Sequence, residues 1–238
     1  MAKIETYAWK ITDANFKLLS KSQDNGLSSL CTTLGPVEHC AFAQVFPGMV
    51  ATIIAQQLSD KAYNSLLLKL PDALFASPEL LLSLIERHEQ ELRCNKVRLL
   101  PLSGSKLNTL KAIAALFGPA KSISMSESHL AAMASLERAQ LLLELKGIGP
   151  WSVNMMEMLV FHNEDVFSIH DLGLQNAVLH LSGKRRQELT KKQLLELMER
   201  YVQRIEPLHL GTYIAFYLWQ LNALLPASKE QFWGIVSL

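Results

Sequence analysis

Residues 141–155 read LLELKGIGPWSVNMM, a stretch whose leucines, methionines and glutamates favour one helix. Gly147, Gly149 and Pro150 interrupt it. Glycine in a helix interior costs about 1 kcal/mol relative to alanine, and proline about 3. The chain must turn here, so Lys146-Gly147-Ile148-Gly149-Pro150 reads as a tight hairpin between helices over 136–146 and 151–162. Its glycines let a second backbone come close. Ile148 can plug into the apolar face below, and Pro150 suits the first turn of the next helix. Such a turn exposes amides at a helix N-terminus, a natural seat for a phosphate. An ordinary helix–turn–helix connection fits the same spacing. The second group is a carboxylate: Asp171 leads DLGLQNAVLHLSG, an apolar-periodic helix that Gly183 can end. An aspartate in that position caps a helix. Seven histidines show no HExxH or clustered spacing, and Cys31, Cys40 and Cys94 are too few and too dispersed for a disulfide framework or a Cys-rich metal site. No metal centre is expected.

The elements that must hold these groups read as helices almost throughout. QVFPGMVATIIAQQLSDKAYNSLLLKL places Phe46, Val50, Ile53 and Ile54 at helical spacing and continues through Leu66 and Leu67. Ser77-Pro78-Glu79 predicts a helix start, with Ser77 as N-cap and Pro78 as first residue. Ser124-x-x-Glu127, Thr190-x-x-Gln193 and Ser228-x-x-Gln231 resemble capping boxes. TYIAFYLWQLNALL should be a buried helix. No series of alternating strands is evident, in residues 1–40 or beyond. The pattern predicts an all-α fold of roughly eight to ten helices.

With 238 residues, 49% hydrophobic and 19% charged, the composition is that of a globular protein with a real core. No apolar run reaches the ~18–20 residues of a membrane span, and the N-terminus lacks a signal core. Neither membrane association nor export is expected. The net charge of +1 does not announce a nucleic-acid partner. The stretch from His180 to Arg204 is locally basic, which a solvated helical surface also explains.

In order and spacing, Leu-x-Gly-Ile-Gly-x-Trp151, Asp165-Val-Phe and Asp171-Leu-Gly-Leu resemble the helix-hairpin-helix/Gly-Pro-Asp (HhH-GPD) superfamily of DNA glycosylases, in particular its 3-methyladenine DNA glycosylase II branch. Further matches are Ile54-Ala-Gln56-Gln57-Leu-Ser, Leu102-Ser103-Gly104-Ser-Lys106 and Tyr213-x-x-x-Phe-Tyr-Leu-Trp219. The resemblance spans roughly residues 45–225. It implies one HhH-GPD unit over 1–238, with a helical lobe at 45–155 carrying the hairpin and a second lobe from 1–44 plus 156–238. A DNA cleft would lie between them.

It further implies that Asp171 is the catalytic carboxylate, stabilising the positive charge that builds on the sugar as an N-glycosidic bond breaks. Trp151 and Trp219 become candidates to line a base pocket, where a flipped, positively charged alkylpurine gains from an aromatic face. Core packing is the plainer role for either, and the favoured one for Tyr217 and Phe167. Gly147, Ile148, Gly149, Gln56, Gln57, Leu102, Ser103, Gly104 and Lys106 are implied to face DNA, with Leu102 as the wedge that replaces the flipped nucleotide. Relatives that also cut the strand use a lysine two positions past the second hairpin glycine; Trp151 stands there, so no lyase activity is expected. Lys146, Met155 and His170 depart from the branch's pattern. No cofactor is required, although relatives can hold a monovalent cation on the hairpin carbonyls. The expected activity is hydrolytic release of 3-methyladenine and 7-methylguanine from damaged double-stranded DNA, by a monomer in the bacterial cytoplasm or the eukaryotic nucleus. The alternative is a non-catalytic binder of damaged or abasic DNA.

Overall fold

The computed structural model describes residues 4–94, 99–118 and 125–224. In chain order the elements are β1 (Thr6–Lys10), α1 (Asp13–Ser20), α2 (Asn25–Leu34), β2 (Glu38–Phe42), α3 (Val45–Ala55), α4 (Asp60–Leu67), α5 (Ala73–Ala76) and α6 (Pro78–Arg93). They continue with α7 (Gly104–Phe117), α8 (Glu127–Ala132), α9 (Ser135–Leu143), α10 (Pro150–Leu159), α11 (Leu172–Leu181), α12 (Lys191–Ile205) and α13 (Gly211–Leu224). Two 3₁₀ turns lie at Arg186–Glu188 and Glu206–Leu208. The all-α expectation holds, with more helices than predicted. The surplus comes from short pieces such as α5 and α8; the helical spacing from Phe46 through Leu67 is carried by two helices, α3 and α4, parted at Gln56 and Gln57.

A small two-stranded sheet is the clear departure from expectation. The Ile11 N–H donates to the Val37 carbonyl and the Ala43 N–H to that of Glu5, so β1 and β2 run antiparallel. Each strand is five residues long, and their burial patterns show no apolar alternation, so periodicity carried no strand signal.

Helix starts fall where the side chains predict them. The Leu80 N–H donates to Ser77 Oγ ahead of Pro78, and Thr190 and Gln193 form a reciprocal capping box. The other two capping-box motifs begin at Ser124 and Ser228, which lie outside the described residues.

The chain divides into two units, one formed by Met1–Tyr7 and Ala41–His162, the other by Ala8–Cys40 and Asn163–Leu238. In the first, α3 is buried from Phe46 to Ile54 and packs on α5, α7 and α10. A helix apolar on every side belongs inside a core, and α3 occupies that place. Beside it the Arg138 guanidinium donates to both oxygens of Glu157, at 2.6 and 2.8 Å, and to the carbonyls of Leu130, Ala131 and Met133. Ser135 Oγ also donates to this carboxylate, at 2.8 Å. This buried pair joins α9 to α10, the two helices that flank the hairpin. In the second unit α13 is the central helix, packed on α2 and α11. Among the described residues no helix is long and apolar enough to cross a membrane.

Candidate functional site

The hairpin forms between α9 and α10 as the glycines require. Gly147 sits at φ +91°, where L-residues are strained, and is exposed. A Cβ there would fall 1.9 Å from Thr109 Oγ1, so α7 comes too close for any side chain. Ile148 is buried in the core as predicted, and Pro150 opens α10 behind Gly149. Gly147→Ala combines a disfavoured backbone conformation with a forced overlap, and should destabilise the protein by about 2–4 kcal/mol. Adding Thr109→Ala should return only the overlap's share, as read from urea unfolding midpoints.

Two side chains fasten this turn to its neighbours. Gln56 Nε2 donates to the Gly147 carbonyl at 3.0 Å and to Ser152 Oγ at 2.8 Å. Its half-buried amide is thus satisfied, while Gln57 is exposed at φ +60° in the break between α3 and α4. Lys106 Nζ donates to the carbonyls of Ile54, at 2.6 Å, and Gln56, at 3.0 Å. It therefore caps the C-terminus of α3, where a cation is favoured by the helix dipole. Burial pulls its pKa below the usual lysine value.

The Lys106 placement revises the expected direct contact with DNA: its ammonium is engaged by backbone oxygens. A phosphate-bound lysine contributes about 0.9 to the slope of log affinity against log salt. Lys106→Met should leave that slope unchanged while weakening DNA binding through a displaced Gln56 and hairpin. Salt titration of binding to duplex DNA reads the difference.

Ser103 and Gly104 are exposed, with Ser103 Oγ accepting from the Lys106 N–H at the start of α7. Leu102 is a correction. It is 1% exposed and packs within the core of its unit, so it does not project as a wedge. The Ser103 cap turns the chain so that the leucine before it faces inward.

The hairpin carbonyls are already engaged in part. Leu145 O accepts from the Ile148 N–H, Gly149 O from the Val153 N–H, and Gly147 O from Gln56 Nε2. An amide donor thus occupies one side of the Gly147 oxygen, and no chemistry below depends on a cation there. Among the described residues no group of His, Cys, Asp and Glu gathers in a metal-binding cluster.

In the other unit Asp171 caps α11: its Oδ1 accepts from the Leu174 N–H at 2.9 Å. The same oxygen accepts from Trp219 Nε1 at 3.0 Å. Both residues are half-buried. The loop leading to Asp171 is fastened along α13. Thr212 Oγ1 donates to the Asn163 carbonyl at 2.6 Å, and Asp165 accepts from the Gly211 N–H and contacts His209. Asp165 thus ties this loop to the start of α13. Gln175 Nε2 holds the Ile169 carbonyl at 2.8 Å while its Oε1 accepts from Arg186. His170 is exposed. The result is a carboxylate presented at a helix N-terminus with an indole N–H and an aromatic surface beside it.

Sequence reasoning missed part of this arrangement. His39 stacks on Phe216 at 4.8 Å and tilts against Trp219 at 5.0 Å, a contact no motif announces. Gly173 did carry a signal, since a glycine in the first turn of a helix wants a reason. Tyr217 is core, donating to the Gly35 carbonyl, and Phe167 lies against Tyr201. Trp151 is half-buried at the second position of α10, and Met155 is buried. In the basic stretch Arg185 and Lys192 pair with Glu188 and Glu196, as a solvated helical surface would have it, whereas Arg204 reaches the nearly buried carboxylate of Asp24 at 2.8 Å.

Known proteins resemble this chain in sequence and in fold. The profile of the HhH-GPD superfamily base excision DNA repair proteins matches residues 50–204. The alkylbase DNA glycosidase-like protein mag2 of Schizosaccharomyces pombe is 27% identical over 89% of this chain and 96% of its own length. The putative DNA-3-methyladenine glycosylase YfjP of Bacillus subtilis is 32% identical over 40% of this chain and 31% of its own. Among solved structures, the DNA-3-methyladenine glycosidase of Bacillus halodurans superposes with a TM-score of 0.67 at 22% identity, covering 92% of this chain and 93% of that one. The S. pombe 3-methyladenine DNA glycosylase Mag1, solved with abasic DNA, also gives 0.67, at 20% identity over 89% and 97%. At those identities the structures attest the fold, and the profile match attests the family. The chain belongs to the HhH-GPD superfamily of base excision DNA repair proteins.

Proposed function

We propose that this protein is a monofunctional DNA glycosylase that releases alkylated purines, 3-methyladenine and 7-methylguanine among them, from double-stranded DNA and leaves an abasic site. The relatives named for alkylbase and 3-methyladenine processing support the substrate class. The observation that carries the reading is Asp171, held at the start of α11 by the Leu174 N–H and the Trp219 indole. As the glycosidic bond breaks, its electron pair leaves with the base, and a cationic alkylpurine departs neutral. Positive charge develops on the deoxyribose, and a preorganised carboxylate stabilises it. Water then adds to C1′ and releases a proton. Trp219 offers an aromatic face next to that carboxylate, suited to an electron-poor ring. Trp151 occupies the position at which lyase relatives carry their lysine, so Schiff-base chemistry has no amine there. The protein acts in this reading as a monomer and without a cofactor, in whichever compartment holds the genome.

The test is chromatography of bases released from methylated duplex DNA under excess protein. Release of free methylpurine with the strand left intact until alkali is added is the expected result. Saturable binding to abasic DNA with no base released would overturn it and make the chain a non-catalytic damage binder.

A further inference from the structure

We propose that Trp219 is a positioning residue, whose indole N–H fixes the orientation of the Asp171 carboxylate, and that Gly173 and His39 keep the indole in place. The inference rests on the reading of Asp171 as the catalytic group. One donor leaves a carboxylate free to turn about its Cβ–Cγ bond. Here Oδ1 receives two donors from separate elements, the Leu174 N–H of α11 at 2.9 Å and Trp219 Nε1 of α13 at 3.0 Å. Two donors on one oxygen fix the carboxylate plane, and with it the direction in which the second oxygen points.

The indole is itself confined. Phe216, one turn earlier on α13, stacks at 6.0 Å and 28°, and His39 of β2 lies 5.0 Å from Trp219 and 4.8 Å from Phe216. Phe216 is fully buried, so the platform does not yield. On the remaining side the clearance is set by Gly173. A Cβ there would stand 3.1 Å from Asp171 Oδ1, 3.2 Å from Trp219 Cδ1 and 3.4 Å from Trp219 Nε1. Only hydrogen fits comfortably between the indole edge and the carboxylate, which explains a glycine in the first turn of α11 despite its helix cost. A wall for a flipped base would need the ring face of Trp219 alone; the constraints at its nitrogen edge serve the carboxylate.

A hydrogen bond to a charged group of this kind corresponds to about a 10- to 100-fold change in the step it supports. Trp219→Phe, which keeps the ring and removes the N–H, should lower single-turnover base release by that factor while leaving affinity for abasic duplex DNA unchanged. Gly173→Ala, with the indole retained, should lower the same rate. His39→Ala should follow more weakly, and His39→Phe should restore the wild-type rate. The direct readout is the Trp219 indole resonance in a ¹⁵N–¹H spectrum, assigned by its loss in Trp219→Phe. Asp171→Ser preserves a capping hydroxyl but is too short to reach the indole, so it should move this resonance upfield and speed its exchange with water. An unmoved resonance overturns the proposal. So do wild-type rates in both Trp219→Phe and Gly173→Ala when Asp171→Asn is inactive. Full activity in Asp171→Asn would instead remove the catalytic reading beneath it, and the indole resonance would still report whether the hydrogen bond exists.

Discussion

Asp171→Asn is expected to lower base release by about 10²- to 10⁴-fold with the fold and DNA binding retained. Asparagine is as good an N-cap as aspartate, so the Leu174 N–H keeps its acceptor. The amide oxygen can also accept from Trp219 Nε1, so the local geometry survives. What disappears is the negative charge beside the developing oxocarbenium. Single-turnover release from methylated DNA, run beside an unfolding curve and an abasic-DNA titration, separates chemistry from folding and binding. A variant that releases base at the wild-type rate would remove Asp171 from the mechanism. Asp171→Ala is a poorer probe, because losing the cap adds about 1 kcal/mol of destabilisation to the lost charge.

Glu157→Gln should destabilise the first unit by about 3–5 kcal/mol, because it leaves the Arg138 charge buried without its counterion. The pair is almost fully enclosed, with side-chain exposures of 5% and 3%. Replacing Arg138 alone by methionine strands the carboxylate and, in addition, frees the three carbonyls that the guanidinium bonds. Replacing both members by apolar residues of similar volume should recover much of the loss, since a buried pair is costly to break and contributes little over good apolar packing. Urea unfolding of the two single variants and the double variant forms the cycle that checks this. Because α9 and α10 flank the hairpin, DNA affinity should fall in the single variants and return in the double.

The parts of this protein that were legible in the sequence are those governed by local rules. A proline after two glycines marks the hairpin, and Ser77, Thr190 and Asp171 mark helix starts through hydrogen bonds within three residues. What escaped depends on partners distant in the chain. Lys106 presents the same ammonium to a phosphate or to a carbonyl, and only the approach of α3's C-terminus decides for Ile54 and Gln56. Leu102 precedes a serine cap in either case, and the direction in which the chain enters α7 buries it. The break after Ala55 falls where Gln56 and Gln57 end the apolar run, but what holds the non-helical turn is distant in sequence: Lys106, and the Gly147 and Ser152 contacts of Gln56. The strands are too short to alternate visibly, and His39 enters the picture only because β2 carries it to α13.

The division of the chain bears on how it is made. The first unit is nearly contiguous, from Ala41 to His162, whereas the second is assembled from segments on either side of it. Helix α2 lies in the earlier segment, yet its packing partner α13 begins at Gly211. At about 5–20 residues per second, a ribosome needs roughly 10–30 s to traverse residues 41–210. Throughout that interval Leu27, Leu30 and Cys31, buried in the finished protein, await the helix that will cover them. The nascent chain can therefore complete the hairpin-bearing unit before the unit that carries Asp171, and its early helices are the segment for which a chaperone has most to do.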